Sequence, residues 1–514
     1  MPPRFSVVVP TRERAQTLPF TLRTCLDQDF DDYEIVVCDN FSSPATRQVV
    51  ESFASPRIRY VRAARPLAMS DNWELALQHA TGEYVTVLGD DDALLSHALL
   101  ELDRVVVRTG ARAVRWSCAF YTWPTVALAG EGNYLALPLM RELHTVDATA
   151  AIAAVIGFRE SYGYLPMLYY GAVHRDLIAE LRNRTGRVFI NGYPDVYSGF
   201  AFAHLAGTYV SLNLPMSVCG LSGQSNGVAT LLLHEPSEIA DEFHRLNHAS
   251  AQFNPHPWVP DLPIFPTVPV ADSFQRAKDA LFPTDDRLRL DRRALAEQCV
   301  AGLWATDPDQ WRTRLGVIRA SFDDDRAAQQ WFDGGPGREP FRPPVPAKLR
   351  GRDPGFDGSQ LHIRADALGV SDVAGAARLC EQLLGVRGTA IAYDAPGHPW
   401  FHAQLGQARE QLQVSEADRA ARLDVINRLD DALKASEADR AARLGVINCL
   451  NEHIQGIEAE RRAQDERIRA QDERIRTQES RIRLLESRPA ARVRRAMGNL
   501  KGWLTKGGGA APRG

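Results

Sequence analysis

The first hundred residues alternate compact apolar runs with longer segments whose apolar positions recur every three or four residues. Phe5 to Val9 is a short β-branched run stopped by Pro10, and Thr11 to Arg14 follows as a polar loop. A run bounded in this way reads as a buried strand. From Thr17 to Leu26, Leu18, Leu22 and Leu26 fall on one face of a helix. Tyr33 to Cys38 predicts a second strand ending in Asp39-Asn40, and Ser42 or Ser43 stands where the next helix needs a cap. Ile58 to Val61 predicts a third strand and Asp71 to Ala80 a helix that buries Trp73, Ala76, Leu77 and Ala80. Tyr84 to Leu88 predicts a fourth strand, running into Gly89-Asp90-Asp91-Asp92. This rhythm predicts an α/β fold with a Rossmann-like, mostly parallel sheet and right-handed crossovers.

In a parallel sheet all strand C-termini lie on one rim, where open α/β sheets bind ligands. Thr11, Asp39 and the acidic triplet therefore converge although they are far apart in sequence. Three adjacent carboxylates buried without partners cost several kcal/mol, so the triplet predicts either a divalent cation held by oxygen ligands or a solvated acidic turn. No Gly-x-Gly-x-x-Gly or Walker sequence is present, which argues against a glycine cradle for phosphate.

Composition narrows the setting. With 514 residues the chain suggests two to four units. It is 24% charged with a net charge of −4, so it has no overall basic field for nucleic acid. Its seven cysteines are scattered without a CxxC, which fits a reducing, cytoplasmic setting. No run approaches the roughly 20 apolar residues that span a bilayer, so membrane contact is expected to be peripheral, at the inner face.

Four segments, Phe5-Ser-Val-Val-Val-Pro-Thr11, Glu34-Ile-Val-Val-Cys-Asp-Asn40, Ser70-Asp-Asn-Trp-Glu74 and Gly82 to Asp92, stand in the order and spacing of family 2 glycosyltransferases of the GT-A fold, which the chain resembles. The resemblance implies transfer of a sugar from a nucleotide-sugar, a UDP-sugar favoured, to a hydroxyl of a glycan or lipid-linked acceptor. It implies donor binding by Pro10, Thr11, Arg12, Glu13, Asp39, Asn72, Asp90 and Asp91, and a DxD motif in which Asp92, with Asp90, holds Mn²⁺ or Mg²⁺. One departure stands out: many members carry Arg before the Asn of the third segment, where this chain has Asp71 before Asn72. Arg14 and Arg65 are the candidates for the missing cation.

The expected catalytic domain covers 1–230, with a nucleotide half at 1–105 and an acceptor half at 106–230. In the second half Ala113 to Trp116 and Leu168 to Val173 read as strands and Asp176 to Arg182 as a helix. Asp195, in Pro194-Asp-Val-Tyr-Ser-Gly199, stands where an N-cap is expected, and the resemblance makes it the catalytic base of an inverting transfer. Cys219 to Gly227 is rich in Gly and Ser, which suits either a lid or an ordinary surface loop. His174 and His204 read as packed or capping residues, since no further ligand stands at metal spacing.

Residues 231–401 are expected to form an accessory, mostly helical region with Pro-rich linkers. From 402 to 487, Ser415-Glu-Ala-Asp-Arg-Ala-Ala-Arg-Leu423 recurs at Ser436 to Leu444, a period of 21, or three heptads. Ile426, Leu433, Ile447, Ile454, Ile468, Ile475 and Ile482 then share the a position, with Arg440 and Arg461 interrupting them and Gln464, Gln471 and Gln478 at d. This predicts a homo-oligomeric coiled coil with a polar core, set against a solvated single helix. The tail 488–514 is basic and reads either as an amphipathic surface helix on an anionic membrane or as disordered. A nucleotidyltransferase on a similar sheet and a non-catalytic sugar-nucleotide-binding scaffold organised by the coil remain alternatives.

Overall fold

The computed structural model describes residues 2–386, apart from 129, 230–236, 251, 253, 345–353 and 358, together with 466–484. The chain opens with β1 (Phe5–Thr11), α1 (Leu18–Leu26), β2 (Tyr33–Asp39), α2 (Pro44–Ser52), β3 (Ile58–Arg62), α3 (Met69–His79) and β4 (Tyr84–Val87). Val7, Val8, Val9, Ile35, Val36 and Val37 are all buried, the continuous apolar pattern of strands covered on both faces. β1 lies between β2 and β4 in parallel, and β2 continues to β3. The register sets Thr11 opposite Asp39.

Beyond β4 the sheet changes direction. The chain continues through β5 (Ala93–Leu94), α4 (Ala98–Thr109), β6 (Ala113–Thr122), β7 (Tyr134–Pro138), β8 (Leu143–Asp147), α5 (Ala148–Ile156), β9 (Gly171–His174), α6 (Arg175–Thr185), α7 (Pro194–Ala206) and β10 (Thr208–Leu221). β9 runs antiparallel to both β4 and β6, and β6 antiparallel to β7. Only the pairing of β10 with β6 restores a parallel neighbour in this half. The mostly parallel sheet expected from the first hundred residues is therefore a mixed one, because strand direction follows from how each connection crosses the sheet and not from local pattern. β10 pairs with β6, β8 and β5, and its register shifts around Pro215, which has no N–H for the ladder. That irregular strand ends against the acidic rim.

The remainder comprises α8 (Glu238–His248), α9 (Thr267–Leu281), α10 (Arg292–Gly302), α11 (Pro308–Ala320), α12 (Arg326–Gly334), β11 (Gly355–Phe356), β12 (Gln360–Arg364) and α13 (Val373–Leu384). α9 shares a core with α7 through Phe200 and Phe274, whose rings are 5.6 Å apart. α10 to α12 close a smaller core around Trp311, Ile318, Phe322 and Phe332. The region expected to be accessory is thus partly core: β12 pairs antiparallel with β7, and Glu381 on α13 accepts the Ser96 N–H at 2.8 Å. A strand that pairs with one more than 200 residues earlier leaves no local trace of that partner.

Within the expected coiled coil, 466–484 is helical, and Ile468, Ile475 and Ile482 are exposed along it. The rest of 402–487 and the tail 488–514 lie outside the described residues. Among the described residues no helix is long and apolar enough to cross a membrane.

One partly buried carboxylate ties together the strands that form the rim. Glu34 Oε1 accepts hydrogen bonds from Ser6 Oγ at 2.6 Å, Thr81 N at 2.6 Å and Thr81 Oγ1 at 2.8 Å. The Ser6 hydroxyl in turn accepts the Gly82 N–H at 2.8 Å. These bonds tie β1, β2 and the turn before β4, and the approach is so close that a Cβ on Gly82 would lie 2.5 Å from the Ser6 nitrogen. We expect Gly82→Ala to destabilise the chain by about 2 kcal/mol or more, because backbone cannot yield as a side chain can. Gly316 is exposed in α11, where an added Cβ would meet nothing within 4 Å. It should do the opposite, Gly316→Ala adding about 0.5–1 kcal/mol. Urea unfolding of the two variants measures both, and equal midpoints would contradict the packing described.

Candidate active site

The acidic triplet follows β4 in a turn, and its three carboxylates face different partners. Asp92 points inward and is fully buried. Its Oδ2 accepts from Tyr169 Oη at 2.6 Å, Tyr170 Oη at 3.3 Å and Gly89 N at 3.0 Å, and its Oδ1 from Gly220 N at 2.7 Å. Burial, then the neighbouring Asp91 charge, pushes its carboxyl up to about 7. Asp91 Oδ2 accepts from Ser222 Oγ at 2.7 Å and Ser222 N at 3.3 Å, and burial raises its carboxyl against the pull of Arg14. Asp90 has the thinnest cover: Arg12 N stands 3.4 Å from Oδ2 and Arg14 Nε 3.7 Å from Oδ1. Burial pushes the Asp90 carboxyl up to about 6, with Arg14 opposing and Asp91 adding to the rise.

The loop after β1 lies beside these acids. Arg12 donates to the Asn40 carbonyl at 2.6 Å and pairs with Glu242 on α8. Glu13 adopts a positive φ of 53° and accepts from Ser43 N at 2.7 Å and Ser43 Oγ at 2.8 Å. Ser43 occupies the N-cap position of α2 without capping it, because its hydroxyl is turned to Glu13. Asp39 is buried with both oxygens engaged, by Ser42 N at 2.8 Å and Tyr60 Oη at 2.5 Å. Asn40 clamps Leu67 through both ends of its amide, at 2.9 and 2.8 Å. Thr11 closes the loop's base, and Pro10 precedes it on β1.

Asn72 faces the core, 3.4 Å from Cys38 Sγ. Asp71 pairs with Arg187 at 2.7 Å and accepts from Ser250 Oγ at 2.9 Å, so the position expected to carry arginine holds an acid with its own counter-ion. Of the candidate cations, Arg14 lies at the rim and Arg65 is exposed before α3.

The Gly- and Ser-rich stretch after Cys219 begins as the end of β10 and is stitched to the rim. Gly220 holds Asp92, Ser222 holds Asp91, and Arg14 donates to the Gln224 carbonyl. A Cβ on Gly220 would fall 1.8 Å from the Asp91 carbonyl oxygen, which explains glycine there. Residues 220–224 therefore line one side of the acidic rim.

Asp195 lies in the first turn of α7, where Tyr193 occupies the N-cap position. It is half-buried, and desolvation raises its carboxyl while the amides of that turn oppose the rise. The turn before it is locked: Asn191 Nδ2 donates to Asp272 Oδ2 at 3.0 Å and Ser273 Oγ at 2.8 Å, and its carbonyl accepts from Ser70. His174 accepts the Asp176 N–H as a helix cap, and the His204 ring stacks on Phe282. Sequence reasoning missed Tyr169, Tyr170, Gly220 and Ser222 as partners of the acids. Their one local signal is a pair of tyrosines at a strand start, which names no partner.

Among the described residues no three His, Cys, Asp or Glu side chains surround a common point. The donor set nevertheless fits a hard divalent cation: its atoms are oxygens, and Asp90, the least covered of the three acids, has Arg12 N and Arg14 Nε only at 3.4 and 3.7 Å.

Comparison with known proteins matches residues 6–126 to the family described as Glycosyl transferase family 2. A GalNAc(5)-diNAcBac-PP-undecaprenol beta-1,3-glucosyltransferase from Campylobacter jejuni is 40% identical over 103 residues, 20% of this chain and 33% of that protein. The UDP-Glc:alpha-D-GlcNAc-diphosphoundecaprenol beta-1,3-glucosyltransferase WfgD of Escherichia coli is 27% identical over 94 residues, 18% of this chain and 37% of that protein. The chain thus spans about a third of the length of these relatives. The solved structure of S. aureus TarS 1-349 in complex with UDP aligns over 65% of this chain and 88% of that one, at 15% identity and a TM-score of 0.37, a likeness too loose to carry a residue across. Over residues 6–126, this chain carries a glycosyl transferase family 2 domain.

Proposed function

We propose that the domain at 1–230 transfers a sugar from a nucleotide-sugar to a hydroxyl of a glycan or lipid-linked acceptor, with metal dependence and inversion at the anomeric carbon. The observation that carries this reading is the placement of Asp90, thinly covered, and its neighbour Asp91 on the rim of a family 2 domain. Asp90 and Asp91 would hold Mn²⁺ or Mg²⁺, and Asp92, whose oxygens are already engaged, braces the turn. When bound, the cation supplies Lewis-acid stabilisation of the leaving diphosphate.

In this reading the chain's own groups position and exchange protons. The loop from Pro10 to Glu13, with Asp39 and Asn72 beneath it, shapes the nucleoside side, and fixing the donor there lowers the entropic part of the barrier. Asp195 takes the proton from the attacking acceptor hydroxyl, and burial, by raising its carboxyl, makes it a better base. Relatives whose names specify diphosphoundecaprenol substrates favour a lipid-linked acceptor. The heptads at 402–487 suit self-association, and the basic tail a peripheral contact with the inner membrane face.

With a UDP-sugar and a lipid-diphosphate acceptor, Asp195→Asn should lower turnover by about 10²–10⁴-fold while leaving UDP affinity unchanged. Proton NMR of the fresh product should show the anomeric configuration opposite to the donor's, and retention would exclude Asp195 as the base of a single displacement. The acids also predict a pH effect. A carboxyl raised on folding holds its proton more tightly in the native state, so its contribution to stability is fully present below the unfolded value and is lost as pH rises through the folded value. The metal-free chain should therefore melt at lower temperature as pH rises through about 6 to 7. Asp92→Asn should flatten that slope in a calorimetric scan, and an unchanged slope would show that the triplet is not its source.

A further inference from the structure

A second cleft, of about 280 Å³, opens beside the acidic rim. Arg115, Trp116, Tyr164, Met167, Tyr170 and Asn213 line it, with Glu160 and Ser161 at its edge. Tyr170 links it to the rim through its hydrogen bond to Asp92. Met167 packs over Gly199 on α7, where a Cβ would meet the Met167 side chain at 2.9 Å, so the cleft backs onto the helix that carries Asp195.

The unusual group here is Arg115. Its guanidinium donates to Ser211 Oγ at 3.0 Å, Asn213 Oδ1 at 3.3 Å and the Trp116 carbonyl at 3.3 Å, all neutral acceptors. Its Nε is buried without a hydrogen-bond partner. Among the described residues no carboxylate lies within ion-pair distance of it; Glu160, exposed at the edge, is the acid that faces the cleft. A largely desolvated cation held only by neutral dipoles is costly unless an anion completes it. Guanidinium, with its planar fork of donors, suits phosphate above other anions. The Tyr164 ring lies 5.7 Å from the guanidinium carbon and is held by Tyr209 Oη on its carbonyl at 2.7 Å, so a fixed aromatic surface stands next to the charge. Polar anchors set among aromatic walls are the usual make-up of a small-molecule site.

We propose that this cleft is the acceptor subsite and that Arg115 binds the phosphate of a phosphate-bearing glycosyl acceptor, with the acceptor's sugar against Tyr164 and Tyr170. The inference rests on the transferase reading and deepens it by assigning the acceptor's charge. Arg115 is a specificity-determining residue in this account: it selects anionic acceptors over neutral glycosides and takes no part in proton transfer.

The test uses the full-length chain with saturating UDP and Mn²⁺, so that the donor side cannot take up the probe. Calorimetry compares a hexosyl diphosphate bearing a short alkyl chain with the same alkyl hexoside lacking the phosphates, and inorganic phosphate with both. The diphosphate should bind and the neutral hexoside only weakly. Arg115→Met should weaken the diphosphate by about 10- to 100-fold, as for loss of a hydrogen-bonded charge, and leave the hexoside unchanged. Glu160→Gln, an exposed substitution that leaves the fold intact, should tighten the diphosphate by about threefold. Phosphate competing with the diphosphate would place recognition on the anion alone, whereas diphosphate binding without such competition requires the sugar as well; both fit the subsite. Equal affinity for charged and neutral probes, or a Glu160→Gln variant with unchanged affinity, overturns it even if Arg115→Met fails to fold. UDP affinity is measured first, in a separate titration with Mn²⁺: its absence would count against the transferase reading, while the response to Arg115 and Glu160 judges the subsite separately.

Discussion

Three consecutive carboxylates at the end of a strand, two buried and the third partly so, are the constraint on which the rest of this structure depends. Each has to be offset, and the chain does so in three ways. Asp92 is surrounded by two tyrosine hydroxyls and two backbone amides, Asp91 is held by Ser222, and Asp90 faces Arg14 at the edge of the site. The inner acid therefore acts as a structural brace, while Asp91 has one oxygen held by Ser222 and Asp90 is the least covered of the three. Cover thus falls from enclosed to open across three adjacent residues.

That arrangement draws distant parts of the chain together. Tyr169 and Tyr170 come from the approach to β9, Gly220 and Ser222 from the end of β10, and Arg14 from the loop after β1. On the other side, Asn191 and Asp272 lock the turn that delivers Asp195, so α9, outside the family match, helps to position the proposed base.

The first hundred residues are legible in the sequence because their strands are continuous apolar runs and their helices carry a clear apolar stripe. Tyr33–Asp39 and Tyr84–Val87 fall within a residue of where the pattern puts them, and Phe5–Thr11 begins there but runs on through Pro10, the residue expected to stop it; Asp39 and the triplet follow their strands on one rim. The other half is less so. β10 is interrupted by Asn213 and Pro215 and carries register shifts, so it lacks the alternation by which a strand is recognised. β12 belongs to the sheet only through its pairing with β7, a contact that no local window contains. Asp92 shows the same limit at the site: an acid that ends a motif looks available from sequence, and only its neighbours from β9 and β10 reveal that its oxygens are taken. The glycines at 220 and 223 suggest mobility, yet they mark close approach, with Cβ positions 1.8 Å from the Asp91 oxygen and 2.2 Å from the Thr125 oxygen.

The central claim is that the outer acids form a metal-dependent nucleotide site. Titration of UDP into the full-length chain, in EDTA and in Mn²⁺, with the wild type and with the Asp90→Asn/Asp91→Asn double variant, tests it most directly. The account predicts heat of binding for the wild type in Mn²⁺ alone and none for the double variant, whose melting transition stays cooperative. Equal UDP affinity in EDTA and Mn²⁺, or full affinity in a folded double variant, would contradict it.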